Sequence, residues 1–280
     1  MRNYITYMLR MESSILVLVG YYETSLHTLL VTEYLEGGEL FNKITDSSYC
    51  LTERKCRGFI KQIIQGLNYI HQHGIIHLDI KPQNIMLTHP NRDDIKLIDF
   101  GLAKLMKDGK IFASFTGTIG FMAPEVLNCS QAGPGTDFFS LGVVAYMLLS
   151  GGYEPFWLNN DEKTIKRTLH MEIKYLQMLS PSANSFLSGL LAKQLTERLQ
   201  GLPCLSHPWV QGIQEEQDSS MEKIVNTMHI KSYMARTRWG KAIRAVRFAV
   251  RMKAVVVPNL PGVYPVQYPD FISTEIPIYV

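Results

Sequence analysis

The sequence contains no Cys-x-x-Cys pair, no internal repeat and no apolar run near the roughly 20 residues that span a bilayer. Its four scattered cysteines, Cys50, Cys56, Cys129 and Cys204, offer neither a disulfide framework nor a zinc site. They suit an intracellular, cytoplasmic chain with reduced thiols. Excess charge is also scarce. A formal net charge of +3 does not by itself suggest nucleic-acid binding, so the placement of the basic residues matters more than their sum. Arg2 and Arg10 precede the apolar run Ile15 to Val19 in the manner of a signal peptide, but the run is short and no small-residue cleavage site follows. A strand accounts for it as well. What is present is apolar material: 46% hydrophobic residues in 280 supply one sizeable core with smaller appended pieces.

Residues 2–10 read as the end of a helix. Ser14 to Gly20 and His27 to Tyr34, rich in Val, Leu and Thr, read as two strands joined by a turn. Gly37-Gly38 breaks that pattern, and a short helix starts near Glu39. From Thr52 to His71, Phe59, Ile63, Ile64, Leu67 and Ile70 recur at helical spacing, with Gly74 as the stop. Ile85–Leu87 and Ile95–Ile98 are short apolar segments beside polar loops. Asp137 to Leu149 reads as a buried helix, and 161–170, 182–193 and 201–213 as further helices. Gln214 to Ser220 reads as a polar linker and 221–253 as a basic amphipathic region. Residues 254–280, with five prolines, read as extended or disordered.

The densest signal is His77-Leu78-Asp79-Ile80-Lys81-Pro82-Gln83-Asn84. Fifteen residues after Asn84 comes Asp99-Phe100-Gly101, and then Ala123-Pro124-Glu125. Any one triplet is weak, and a turn-capping aspartate would explain one residue but not four. Together, in this order and at these separations, they resemble the protein-kinase signature set. The resemblance implies an α+β, protein-kinase-like fold, mostly the helical C-terminal lobe. Residues 1–33 would be a remnant of the small N-terminal lobe, 34–212 the large lobe, 213–253 a regulatory segment and 254–280 a tail. It implies transfer of the γ-phosphate of ATP to serine or threonine of a protein, with Mg2+. Asp79 matches the carboxylate that orients the attacking hydroxyl and takes its proton, and Lys81 the lysine that steadies the phosphate. Asn84 and Asp99 match the two side chains that hold magnesium.

Val31-Thr32-Glu33-Tyr34-Leu35-Glu36-Gly37-Gly38-Glu39-Leu40-Phe41 resembles the hinge and following helix of the calcium/calmodulin-dependent group. By that match Thr32 is the gatekeeper, the backbone of Glu33 and Leu35 bonds adenine, and Met86 forms part of its floor. Glu39 sits near ribose or a basic substrate residue, or is simply a solvated surface glutamate. Asp137 would brace the catalytic loop, and Glu125 and Arg198 would pair. Two departures stand out. Leu78 replaces the arginine usual before the catalytic aspartate, as in the myosin light chain kinases, so phosphate on the following loop has no partner there. No GxGxxG and no Val-Ala-Ile-Lys lysine precede the hinge, and Tyr4 stands where the lysine-pairing glutamate belongs. The chain as written is expected to be inactive or impaired, whether as an incomplete sequence or as a short isoform. The alternative is a non-catalytic module that binds calmodulin or a substrate.

From Ala235 to Lys253 there are seven Lys/Arg and no acidic residue. On a helix Trp239, Ile243, Val246 and Met252 fall at relative positions 1, 5, 8 and 14. Ser232 to Arg247 closely resembles the calmodulin-binding segment of myosin light chain kinases, and death-associated kinases are the next resemblance. Calcium-loaded calmodulin is the implied partner, myosin light chain a possible substrate by family. A membrane-surface helix or an ordinary surface helix would share the charge pattern. By the same resemblance, the segment near Met221 to Met234 lies in the substrate cleft and holds the enzyme off.

Overall fold

The structure is a computed structural model that describes residues 12–23, 27–174, 179–213 and 224–255, except the side chains of 28, 241, 244 and 246–255. The helix end expected at 2–10, Tyr4 and the linker at 214–220 lie outside those residues. Strands β1 (Leu18–Glu23) and β2 (Thr28–Thr32) pair antiparallel, with an irregularity between Leu18 and Gly20. β1 begins later than the expected Ser14. Ile15 forms a parallel bridge to Leu97, and the Leu16 amide donates to the Leu97 carbonyl, so the front of the apolar run anchors the hairpin. The outward side chains Val19, Tyr22 and Leu29 are exposed.

Helix α1 (Leu40–Ile44) buries Leu40, Phe41 and Ile44. Helix α2 (Glu53–Gln72) starts where the Thr52 hydroxyl accepts the Lys55 amide at 3.3 Å, a cap worth about 1 kcal/mol. Its apolar stripe is buried as the spacing predicts. It stops at Gly74, whose φ of +70° suits glycine and whose amide returns to the His71 carbonyl.

Short strands then alternate with the loops that carry chemistry. Strand β3 (Ile75–Ile76) pairs with β6 (Lys104–Leu105), β4 (Ile85–Leu87) with β5 (Ile95–Leu97), and β7 (Ile111–Phe112) with β8 (Gln131–Ala132), all antiparallel. The short helix α3 (Pro124–Leu127) lies between β7 and β8. Helix α4 (Pro134–Ser150) is buried at every position after Pro134, so no polar stripe is needed. Its middle approaches the chain after α6 (Pro181–Leu190) closely: a Cβ at Gly142 would lie 2.8 Å from Leu191 Cδ2. Glu125 and Arg198 pair in bidentate fashion at 2.6 and 3.1 Å, with the guanidinium over the Phe139 ring.

Helix α5 (Asp161–His170) follows its Asn160 cap. The single helix expected over 201–213 is two, α7 (Leu202–Ser206) and α8 (Pro208–Gln211). Pro208 forces the residue before it into extended backbone, and His207 has φ −63° and ψ 135°. Helix α9 (Met228–Val255) is the last described element. A first compact unit ends at Ala235 and a second begins at Arg236. Among the described residues no helix is long and apolar enough to cross a membrane.

Candidate active site

The site grows from the loop between β3 and β4, and its geometry begins with Asp137 in the first turn of α4. Its carboxylate accepts the amides of His77 and Leu78, each at 2.8 Å, and bonds His71 Nε2 at 2.8 Å. These bonds hold Leu78 at φ +67°, a conformation a branched side chain adopts at a cost. Burial alone would raise the Asp137 carboxyl. The His71 bond and charge, with the His77 amide and ring, hold it below the ordinary value instead.

The His77 ring is fixed from both sides. Nε2 meets the Ile98 carbonyl at 3.1 Å, and Nδ1 accepts the Asp79 amide at 3.3 Å. That pairing needs the neutral tautomer with its proton on Nε2, and burial keeps the ring's pKa low despite Asp137 beside it.

Asp79 is thereby turned into the cleft. Lys81 Nζ donates to its Oδ2 at 2.6 Å, Asn84 Nδ2 reaches the same oxygen at 3.2 Å, and Thr118 Oγ1 donates to Oδ1 at 2.8 Å. Lys81 also donates to Thr118 at 3.0 Å, closing a ring of Asp79, Lys81 and Thr118 to which Asn84 is attached at Asp79. A carboxylate offers about four lone-pair directions, so one remains for an incoming hydroxyl. The loop bearing Thr118 can lie this close because Gly117 has no side chain: a Cβ there would meet the Leu78 carbonyl at 2.9 Å.

Asp99, at φ +62°, bonds the Gly101 amide alone among the described residues and is exposed. Asn84 donates through its amide nitrogen, which leaves its oxygen for a cation. No cluster of three or more His, Cys, Asp or Glu suited to a metal occurs among the described residues. The Asn84 carboxamide and the Asp99 carboxylate each supply oxygen, the donor type that magnesium takes from protein.

The hinge residues divide. Glu33 spends its carboxylate on the Val17 amide and on Lys96, both at 2.7 Å. Its carbonyl and the buried Leu35 amide have no partner among the described residues. Met86 and Glu39 meet in an isolated bridge beside them. Sequence reasoning gave Thr118 no place beside Asp79 and did not single out His71. A hydroxyl 39 positions from its carboxylate leaves no periodic trace.

The profile of the protein kinase domain matches residues 2–210. The chain belongs to the protein kinase family. Smooth-muscle myosin light chain kinase of Gallus gallus is 38% identical over 243 residues, 85% of this chain and 12% of that protein. Skeletal/cardiac muscle myosin light chain kinase 2 of Mus musculus is 36% identical over 237 residues, covering 83% and 38%. The chain therefore spans well under half the length of these curated relatives. Among solved structures, the autoinhibited serine kinase domain of titin superposes with a TM-score of 0.73 at 28% identity, over 83% of this kinase chain and 72% of that one. The twitchin kinase region of C. elegans gives 0.72 at 26% identity, over 82% and 41%.

Proposed function

We propose that this kinase transfers the ATP γ-phosphate to serine or threonine of a protein, under the control of calcium-loaded calmodulin. The observation that carries the transfer chemistry is the hydrogen-bonded cluster of Lys81, Asn84 and Thr118 around Asp79. Asp79 orients the substrate hydroxyl and receives its proton as the oxygen–phosphorus bond forms, while the bond to the β-phosphate oxygen breaks. Lys81, already beside Asp79, neutralises charge on the transferring group. The carbonyl of Glu33 and the amide of Leu35 hold adenine over Met86, with Glu39 at the ribose edge. Asn84 and Asp99 hold Mg2+, which when bound offsets charge on the phosphate oxygens. Myosin light chain is the substrate class that the relatives suggest. Peptides bearing Ser, Thr or Tyr, assayed with and without calcium-calmodulin, test the reading: Ser/Thr transfer that rises with calmodulin is expected, at a much impaired rate in the chain as given, which carries no GxGxxG and no Val-Ala-Ile-Lys lysine before the hinge. Calmodulin binding without any transfer would make the chain a binding module instead.

The regulatory part rests on α9 and the residues before it. Ile224 bridges Thr52, the Val225 amide donates to the Leu51 carbonyl at 2.9 Å, and the Ile230 amide to the Gly151 carbonyl at 2.8 Å. Gly151 and Gly152, both at positive φ, make room: a Cβ on Gly152 would lie 2.1 Å from the Ile230 amide nitrogen. Ile230, Tyr233 and Met234 are buried, with the Tyr233 ring against Phe41 and its hydroxyl accepting from Gln83 Nε2 at 2.7 Å. Gln83 adjoins Asn84, so this segment occupies the approach to the catalytic loop and would hold the enzyme off. Ile230→Asp, which buries a charge with no partner, is expected to expel it. Hydrogen exchange of the amides of 225–234 should quicken by about a hundredfold or more. Unchanged protection would show that the segment is held by something else.

Beyond it, Trp239 is 69% exposed and Ile243 47% exposed, as anchors awaiting a partner's groove should be. The side chains of Val246 and Met252 lie outside the described residues. Trp239→Ala in a peptide of Ser232 to Lys253 is expected to weaken binding to calcium-loaded calmodulin roughly thirtyfold, about 2 kcal/mol. Titration calorimetry measures it. Equal binding without calcium would favour a membrane-surface helix.

A further inference from the structure

A recess of about 320 Å³ opens on the far side of the catalytic loop's anchor. Its walls are Asn68, His71 and Gln72 from α2, Pro134 at the start of α4, and Gln200, Gly201 and Leu202 leading into α7. Three observations suit it to a ligand. The volume is at the small end of the range for ring-sized molecules. The Asn68 side-chain nitrogen is buried and has no hydrogen-bond partner, a donor left unsatisfied in a residue only 9% exposed. His71 gives Nε2 to Asp137 and so presents its other nitrogen with no protein partner among the described residues.

The lining also selects. It holds three carboxamides, one imidazole and the apolar surfaces of Pro134 and Leu202, with no lysine, arginine or carboxylate. A charged ligand would lose hydration and gain no counter-charge. A planar neutral molecule with adjacent donor and acceptor, such as a carboxamide or lactam edge, meets groups of its own kind, because Asn and Gln each offer both. Gln200 is already seated against α4: a Cβ on Gly135 would lie 3.0 Å from its Oε1.

We propose that this recess is a binding site for a small neutral carboxamide or lactam. Its occupant touches the imidazole whose opposite nitrogen holds Asp137, so His71 stands between the ligand and the catalytic loop. The proposal is independent of calmodulin control and of kinase turnover.

Nicotinamide is the probe, added to the full chain labelled with ¹³C at histidine Cε1, with nicotinate as the charged control. A saturable shift of the His71 resonance is expected, at least tenfold weaker with nicotinate. Leu202 is 65% exposed at the rim, so Leu202→Arg should fill the opening, leave the melting temperature unchanged and weaken binding at least tenfold. Asn68→Leu removes the unsatisfied amide, keeps the volume and should weaken binding similarly. No His71 shift at about 10 mM nicotinamide would overturn the site and leave the recess to water. So would equal binding of nicotinate, or full binding by folded Leu202→Arg and Asn68→Leu chains.

Discussion

Asp79→Asn is expected to lower phosphoryl transfer about 10²–10⁴-fold while ATP affinity stays within about twofold. The carboxylate touches Lys81, Thr118 and Asn84, and none of the groups assigned to adenine. An asparagine fits the same space and can keep one accepting oxygen, so the ring of contacts loosens but the loop stays in place. What disappears is the negative charge that orients a hydroxyl and takes its proton. Asp99→Asn should behave in the opposite way. Among the described residues that side chain bonds only the Gly101 amide, and it faces solvent, so its loss should raise the magnesium-ATP requirement first. Single-turnover rates and nucleotide titrations on both variants separate the roles. If the two substitutions weakened nucleotide binding equally, the division of labour drawn here would be wrong.

Asp137→Ala is expected to cost about 3–5 kcal/mol of stability, because it strands two buried backbone amides and the His71 ring at once. Whole domains are stable by only about 5–15 kcal/mol, so much of the margin would go. Denaturant unfolding measures it. The milder Asp137→Asn gives a test through pH. The folded carboxyl titrates below its ordinary 3.8, so on acidification the unfolded chain takes up the proton first. The stabilisation is therefore complete above about 4 and is lost as the pH falls through the lower folded value. The wild-type urea midpoint should drop more steeply than that of Asp137→Asn between about pH 5 and pH 2. Parallel curves would mean that Asp137 is not the group that titrates.

The helical large lobe was legible because its signals are local. Phe59, Ile63, Ile64, Leu67 and Ile70 recur at helical spacing, Gly74 marks a stop, and the run after Asp137 is apolar but for Ser140. The catalytic set was legible through its resemblance to the protein-kinase signature, and Asp79, Lys81 and Asn84 sit within one loop, so their separation in sequence already limits their separation in space. Thr118 and His71 were not, since each reaches its carboxylate only after strands and helices have packed. Tyr233 is a stronger case, with its Gln83 partner 150 positions away. The break at His207 could have been read from Pro208 and was overridden by the apolar pattern around it. The calmodulin anchors were named from a resemblance to the calmodulin-binding segment of myosin light chain kinases together with their spacing; Trp239 and Ile243 are exposed on α9.

Helix α4 has no face made for water, which has a consequence for synthesis. Its N-terminal partner α2 is translated before it, but Leu190 and Leu191, which cover the face at Gly142, lie about 40 residues beyond Ser150. At about 5–20 residues per second the ribosome needs roughly 2–8 s to supply them. During that interval a nascent segment of 17 residues, apolar almost throughout, has nothing on one side to bury itself against. The helix that will later anchor the catalytic loop is thus a stretch of newborn chain that a chaperone would shield until Leu190 and Leu191 arrive.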